Sequence, residues 1–259
     1  MFLDDNSLRA LIFSFFAGMS TLLGALILFI VKDKNEKLVS ISLGFSGGVM
    51  ISVSFTHLLP HANELLESFF GEKIGIILGV VFLLLGVVIA ACLDRFVPHI
   101  EDEYKHDYVH QNLFRVGFIS TLAIGLHNFP EGVATFMAGY NDVSLGISVA
   151  LAIALHNIPE GISVAMPIYF ATGSMGKAFK YTFLSGIVEP IGALLTFLVL
   201  RPYINDFSLG AIFALISGIM LYIAIEELIP SSRQYGYVRI AIISTFVGII
   251  LMPLTHIAH

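Results

Sequence analysis

Charge is what this 259-residue sequence has least of. Asp, Glu, Lys and Arg make up 12% of it, about half the share found in soluble domains. The scarcity is concentrated in blocks. No charged residue falls between Arg9 and Lys32, between Lys37 and Glu64, between Lys73 and Asp94, or after Arg239. Each gap reaches or approaches the roughly 20 apolar residues that cross a bilayer core as a helix. With 57% hydrophobic residues and a mean hydropathy of +0.89, the chain has more apolar surface than a soluble fold of its length can bury. A soluble domain and a nucleic-acid partner are excluded, and a multi-pass protein of the lipid bilayer is expected.

Cysteine is nearly absent too. A lone Cys92 excludes an intrachain disulfide and any Cys-based metal or redox motif, and leaves packing as its role. No Lys sits in the middle of an apolar stretch, which removes the Schiff-base anchor of a retinal photoreceptor. The start, "MFLDDNSLRA", is acidic and lacks the basic segment of a signal peptide, so the first apolar stretch is read as a retained membrane helix. The formal net charge of −6 says little about partners, because most charges fall in loops.

What is present is a series of eight apolar spans: 8–31, 39–63, 74–94, 113–139, 143–170, 178–200, 207–230 and 237–257. They predict an all-α fold in one membrane domain over 1–259, with the longest connection at 95–112. Lys32, Lys34, Lys37, Arg95, Lys105, Arg115, Lys177, Lys180, Arg233 and Arg239 collect on one side of this layout. Only Arg9, Lys73 and Arg201 fall on the other. The positive-inside rule then places the 95–112 loop in the cytosol and both termini outside.

The chain also repeats itself. "GVMISVSFTHLLP" (48–60) aligns with "GIMLYIAIEELIP" (218–230), which sets His57 opposite Glu227, and "GALILF" (24–29) resembles "GALLTF" (192–197). The copies are an odd number of helices apart. Spans 1–3 (about 8–98) and 6–8 (about 178–257) are therefore expected in inverted orientation, with spans 4–5 (about 113–170) between them. Inverted repeats recur in secondary transporters, which bind substrate near mid-membrane between the repeats. Chance likeness between Leu-, Ile- and Gly-rich segments is the competing explanation.

The polar residues of the middle pair carry the chemistry. "HNFPEG" (127–132) and "HNIPEG" (156–161) lie 29 residues apart. His127 and Glu131 are one helical turn apart on one face, with Asn128 adjoining; His156, Asn157 and Glu160 repeat the pattern. The turn between the two helices falls near Asn141 and Asp142. Both motifs therefore sit roughly 20 Å from it, at mid-bilayer, by the rise of an α-helix. A charged Glu is costly there, and no Lys or Arg in these spans neutralises it. Either the acids are protonated or a cation joins them. Imidazole nitrogen with amide and carboxylate oxygens suits Zn²⁺, Fe²⁺, Co²⁺ or Mn²⁺ better than Cu⁺ or Mg²⁺. Glu189, mid-span in "SGIVEPIGALL", adds a third acid and room for one or two ions. A core network of neutral acids is the plainer alternative. Pro130 and Pro159 free the carbonyls of Leu126 and Leu155 from helical bonding. Those carbonyls either face an ion path or mark a simple kink.

At this point the sequence resembles a known family. "LHNFPEGVATF" and "LHNIPEGISVAMPIYFATGS" are similar to helices 4 and 5 of the ZIP (Zrt/Irt-like protein) divalent metal transporters, in the bacterial zinc-uptake branch. "LGFSGGVM", "LDRFVPH", "SGIVEPIG" and "EELIP" extend the likeness over nearly the whole chain. The resemblance implies eight helices in a 3+2+3 inverted-repeat arrangement and a binuclear site between helices 4, 5 and 6. One position would use His127, Glu131, His156 and Glu160. The other would use Asn128, Glu131, Asn157, Glu160 and Glu189. It also implies uptake of zinc, with iron, manganese and cobalt, across the cytoplasmic membrane. Zn²⁺ and Fe²⁺ would be bound as substrates, and no cofactor is implied. His57 departs from the family pattern, in which helix 2 often carries Glu. It would either bias the site toward Zn²⁺ or pack as a hydrogen-bonded histidine. Oligomeric state is left open, a homodimer included.

Other polar residues have ordinary explanations beside functional ones. Glu226 and Glu227 end helix 7, and Asp94 and His99 end helix 3. His106 and His110 lie in an acidic loop, and His61 and Glu64 at an outer helix end. His256 and His259 show no pattern, and packing accounts for Met50 and Met220. The expected mechanism is alternating access, with the middle helix pair moving against the two outer repeats. The competing class is an intramembrane zinc hydrolase. It requires an open water position, and the metalloprotease motif His-Glu-x-x-His is missing.

Overall fold

The computed structural model describes residues 4–30, 35–95, 109–203 and 205–255. Their helices join into rods, which we label α1 (Asp5–Phe29), α2 (Glu36–Phe70), α3 (Glu72–Asp94), α4 (Val109–Asn141), α5 (Val143–Thr172), α6 (Met175–Val199), α7 (Asp206–Arg233) and α8 (Val238–Thr255). Six of them, α1 to α3 and α5 to α7, are long and apolar enough to cross a membrane, and α8 contains a shorter apolar helix, Val238–Leu251. The fold is all-α and polytopic. Residues 96–108, with His99 and His106, and residues 256–259, with both C-terminal histidines, lie outside the described residues.

Local chemistry sets the rod ends. Asp4 accepts from Ser7 N–H at 2.8 Å, Asn35 from Leu38 N–H at 3.0 Å and Asp142 from Leu145 N–H at 2.8 Å. Asn205 and Ser208 cap each other reciprocally. Each cap satisfies a donor that a helix N-terminus leaves open. Gly71 and Gly173, at φ 83° and 63°, follow the ends of α2 and α5, where only glycine turns cheaply into left-handed space.

The rods match the expected spans closely except at the end of α2. It runs on to Phe70, past the expected limit at 63. Residues 60–70 are amphipathic: Ala62 and Leu66 are buried against Gly210 of α7, while Glu64 is exposed. A window that scores only apolarity misses such a helix.

Three irregular π-helical turns, Ser54–Leu58, Thr196–Leu200 and Ala224–Leu228, each end two residues before a proline: Pro60, Pro202 and Pro230. Proline lacks an N–H and its ring crowds the carbonyl four residues earlier; a widened turn absorbs both effects. The first and third turns occupy the same place in the repeated segments.

Packing gathers the rods into two groups that meet where α2 lies against α5. In one, α2 lies along α8 and α7 along α3; in the other, α4 and α5 lie together, flanked by α1 and α6. The middle pair thus packs with one helix from each expected triplet, α1 and α6. The physical reason is small residues that let backbones touch. In the first group, Gly48 meets the Thr245 carbonyl of α8, and Gly218 meets the Leu83 carbonyl of α3. Gly248 returns onto Phe45, and Gly86 onto Leu215. Phe45 and Gly48 stand to Leu215 and Gly218 in the repeated register, so the repeat seen in sequence reappears as paired contacts. The most apolar stretch of α2 is 72% buried and that of α3 only 22%. Thus α2 is central, and α3 presents Leu84, Leu85 and Val88 outward, as a lipid-facing helix does.

Candidate metal centre

Glycine places the site. A Cβ on Gly132 would fall on the Glu189 carbonyl of α6, and a Cβ on Gly161 on the Thr21 carbonyl of α1. These glycines are matching positions of the two "PEG" motifs. Their bareness lets α4 seat against α6 and α5 against α1. Gly18 and Gly186 also face each other's carbonyls, at 2.6 Å from an ideal Cβ in each direction. That contact joins α1 to α6, and the four rods enclose one polar centre.

Six of the predicted residues come together there. Asn128, Glu131, His156, Asn157, Glu160 and Glu189 are all 0% exposed. The motif asparagines make matching bonds: Asn128 Nδ2 donates to the Ser185 carbonyl and Asn157 Nδ2 to the Ala17 carbonyl, both at 3.0 Å. Asn157 Nδ2 also donates to Glu189 Oε2 at 2.8 Å. A carbonyl only accepts, so these bonds fix which atom of each amide is nitrogen and which is oxygen. Asn128 Oδ1, Asn157 Oδ1 and Glu131 Oε2 are then buried with no hydrogen-bond partner. Three such oxygens in one place are costly unless a donor or a cation reaches them.

His156 is oriented in the same way. Its Nδ1 lies 3.1 Å from the Ala152 carbonyl, an acceptor, so Nδ1 carries the hydrogen. Nε2 lies 2.9 Å from Glu131 Oε1. A lone pair facing a carboxylate needs a proton or a cation between them. A backbone carbonyl on the far nitrogen is also how metal-binding histidines are held. Glu160 Oε1 accepts from Ser46 of α2 at 2.8 Å. Glu189 Oε1 lies 3.4 Å from Thr135 Oγ1, which bonds more closely to the Glu131 carbonyl at 2.8 Å. Among the described residues no Lys or Arg is buried, so three carboxyl groups share the interior without a fixed positive side chain.

Among the described residues, no three His, Cys, Asp or Glu side chains converge as a ready-made cage. His127 belongs to α4, and its side chain lies outside the described residues, as do those of Asp94 and His110. His57 is 9% exposed, on the irregular turn of α2, about 16 Å along that helix from Ser46 at 1.5 Å per residue. Its place is thus offset from the Glu160 level. His61 and Glu64 are 3.5 Å apart with side chains 27% and 76% exposed, an ordinary surface pair of small energetic weight. Glu226 is exposed and Glu227 half-buried on the α7 turn. Sequence reasoning missed Ser46 and Thr135. The only signal for Ser46 was the small-residue run "GFSGGVM", in which a buried hydroxyl needs a partner.

Comparison with known proteins identifies the family. A family model described as ZIP Zinc transporter matches residues 7–117 and 101–255. The chain is 42% identical over 259 residues to zinc transporter ZupT of Streptococcus mutans, covering 98% of each chain. It is 41% identical over 262 residues to zinc transporter ZupT of Oceanobacillus iheyensis, covering 97% of this chain and 98% of that one. It is 42% identical over 263 residues to zinc transporter ZupT of Chlorobaculum parvum, covering 98% of each. With Asn128, Glu131, His156, Asn157 and Glu160 of its paired HNxPEG motifs buried and its length matched nearly end to end, the chain belongs to the ZIP family of zinc transporters.

Proposed function

We propose that this protein takes up divalent transition-metal ions, zinc foremost with iron, manganese and cobalt, across the cytoplasmic membrane into the cytosol. It is a transporter and not an enzyme; membership of a transporter family leaves the zinc-hydrolase alternative without support. The observation that carries the reading is the set of buried, partnerless oxygens on Asn128, Asn157 and Glu131, beside a histidine whose Nε2 faces into the same centre. A divalent cation satisfies all of them at once, whereas a proton satisfies one.

In this reading His127, Glu131, His156 and Glu160 hold one ion. Asn128, Glu131, Asn157, Glu160 and Glu189 hold a second, with the Glu pair bridging. His156 binds through Nε2 while the Ala152 carbonyl keeps its other nitrogen protonated. Asn157 steadies Glu189 through a 2.8 Å bond. The ligands bind deprotonated, so affinity falls as the medium is acidified. His57, farther along α2, lines the route and favours Zn²⁺ over harder ions.

The eight rods each span the membrane, in a 3+2+3 inverted repeat with both termini outside. The matched glycine contacts of α2–α8 and α7–α3 support that symmetry. The helix group α1, α4, α5 and α6 carries the ion, and α2, α3, α7 and α8 form the frame it moves against. The test is radiolabelled zinc uptake by proteoliposomes. Glu131→Ala and Glu160→Ala should each abolish uptake while folding is retained, and uptake at the wild-type rate in either variant would remove the assignment.

A further inference from the structure

Ser46 lies on α2, in the helix group that carries none of the buried carboxylates. Its side chain is nonetheless fully buried, and its hydroxyl donates to Glu160 Oε1 at 2.8 Å. The His156 carbonyl, at 3.5 Å from the same oxygen, is too distant to compete. Glu131 is the counterpart of Glu160 in the repeated motif, and it is held differently. Its Oε1 meets His156 at 2.9 Å, a contact within its own helix group, and its Oε2 has no partner. The residue matching Ser46 in α7 follows from the pairs Gly48 with Gly218 and Val49 with Ile219, whose packing contacts correspond. It is Ile216, buried at 2% exposure and without a hydroxyl. Two acids equivalent in sequence are therefore steadied by different partners, and Glu160 by one from the neighbouring group.

We propose that Ser46 is a positioning residue that orients Glu160 for a divalent cation across the boundary between the two helix groups, which makes the site's affinity depend on how those groups stand. The inference rests on Glu160 being a zinc ligand. One donated hydrogen fixes the carboxylate plane while leaving its other lone pairs for the ion, as hydrogen bonds to liganding carboxylates do elsewhere. If the carboxylate-bearing group moves along α2 by one helical turn, about 5.4 Å, Ser46 no longer reaches Glu160. Ile216 offers Glu131 nothing in exchange. The ion is then held more tightly in one end state than in the other, and its binding draws the protein toward that state by the same factor.

The test uses the purified full chain. Zinc Kd is measured by competition with a chromophoric chelator, and the KM for zinc uptake is measured separately from each face of oriented proteoliposomes. Ser46→Ala is expected to weaken Kd about tenfold and to bring the KM values of the two faces, unequal in the wild type, within about twofold of each other. Ser46→Thr, which keeps a hydroxyl, is expected to retain both. The melting temperature of metal-free Ser46→Ala should fall by only a few degrees, as the loss of one hydrogen bond does. An unchanged or tightened Kd in Ser46→Ala would overturn the proposal, and so would a retained difference between the faces. Glu160→Gln separates the two levels of the argument. It should abolish zinc binding, and if it binds zinc like wild type, the site assignment fails rather than the role of Ser46.

Discussion

Adding one methyl group to each of two matched glycines should produce equal damage to the fold and unequal damage to the site. In Gly132→Ala the new Cβ would lie on the Glu189 carbonyl, and in Gly161→Ala on the Thr21 carbonyl, both far inside the 3.0 Å that real Cβ atoms keep from other heavy atoms. Neither obstacle is a flexible side chain, so the paired helices must part by roughly 1 Å, at an overpacking cost of about 1–3 kcal/mol. The same shift stretches one 3.0 Å amide bond in each case, Asn128 to Ser185 or Asn157 to Ala17, beyond hydrogen-bonding range. That loses a further ~1 kcal/mol. Thermal or denaturant unfolding in detergent should therefore show two similar destabilisations. Zinc affinity should separate them. Gly132→Ala drives α4, with Glu131, away from α6, with Glu189. Gly161→Ala drives α5 from α1, which carries at that level only Thr21. We expect Gly132→Ala to weaken zinc Kd by about tenfold or more, and Gly161→Ala by several times less. Equal losses of affinity, or a greater loss in Gly161→Ala, would refute the placement of the ion between α4, α5 and α6.

Two further pairs exploit the same symmetry. Asn157→Leu should destabilise the protein more than Asn128→Leu, by about 1–2 kcal/mol. The Asn157 amide serves both the Ala17 carbonyl and the Glu189 carboxyl group, whereas Asn128 serves the Ser185 carbonyl; denaturant midpoints decide it. Gly48→Ala and Gly218→Ala meet equivalent backbone carbonyls in the frame, so each should lower the melting temperature by a similar amount. Zinc Kd should stay at its wild-type value in Gly218→Ala, whereas Gly48→Ala, which displaces α2 two residues from Ser46, should weaken it; a loss of affinity in Gly218→Ala would contradict a frame that touches the site through α2.

The sequence by itself determined a good deal. Long charge-free stretches are membrane helices, so the all-α polytopic fold followed from composition. The twofold occurrence of His-Asn-x-Pro-Glu-Gly, with its spacing about a turn, set six candidate residues at one expected depth, and five of them, Asn128, Glu131, His156, Asn157 and Glu160, are buried in the structure. The widened turns before Pro60 and Pro230 fall within segments that the sequence showed only as a repeat. Partnership between helices was beyond it. The grouping of α1 and α6 with α4 and α5 depends on which glycines meet which carbonyls, and a glycine in an apolar span looks the same whatever it faces. Ser46 stayed hidden for the same reason: a serine among small residues becomes part of the site only when another helix brings Glu160 to within 2.8 Å of it. The difference between Glu131 and Glu160, identical in their motifs, was decided by tertiary contact alone. A carboxylate's partners come from the helices packed around it, and those lie far away along the chain.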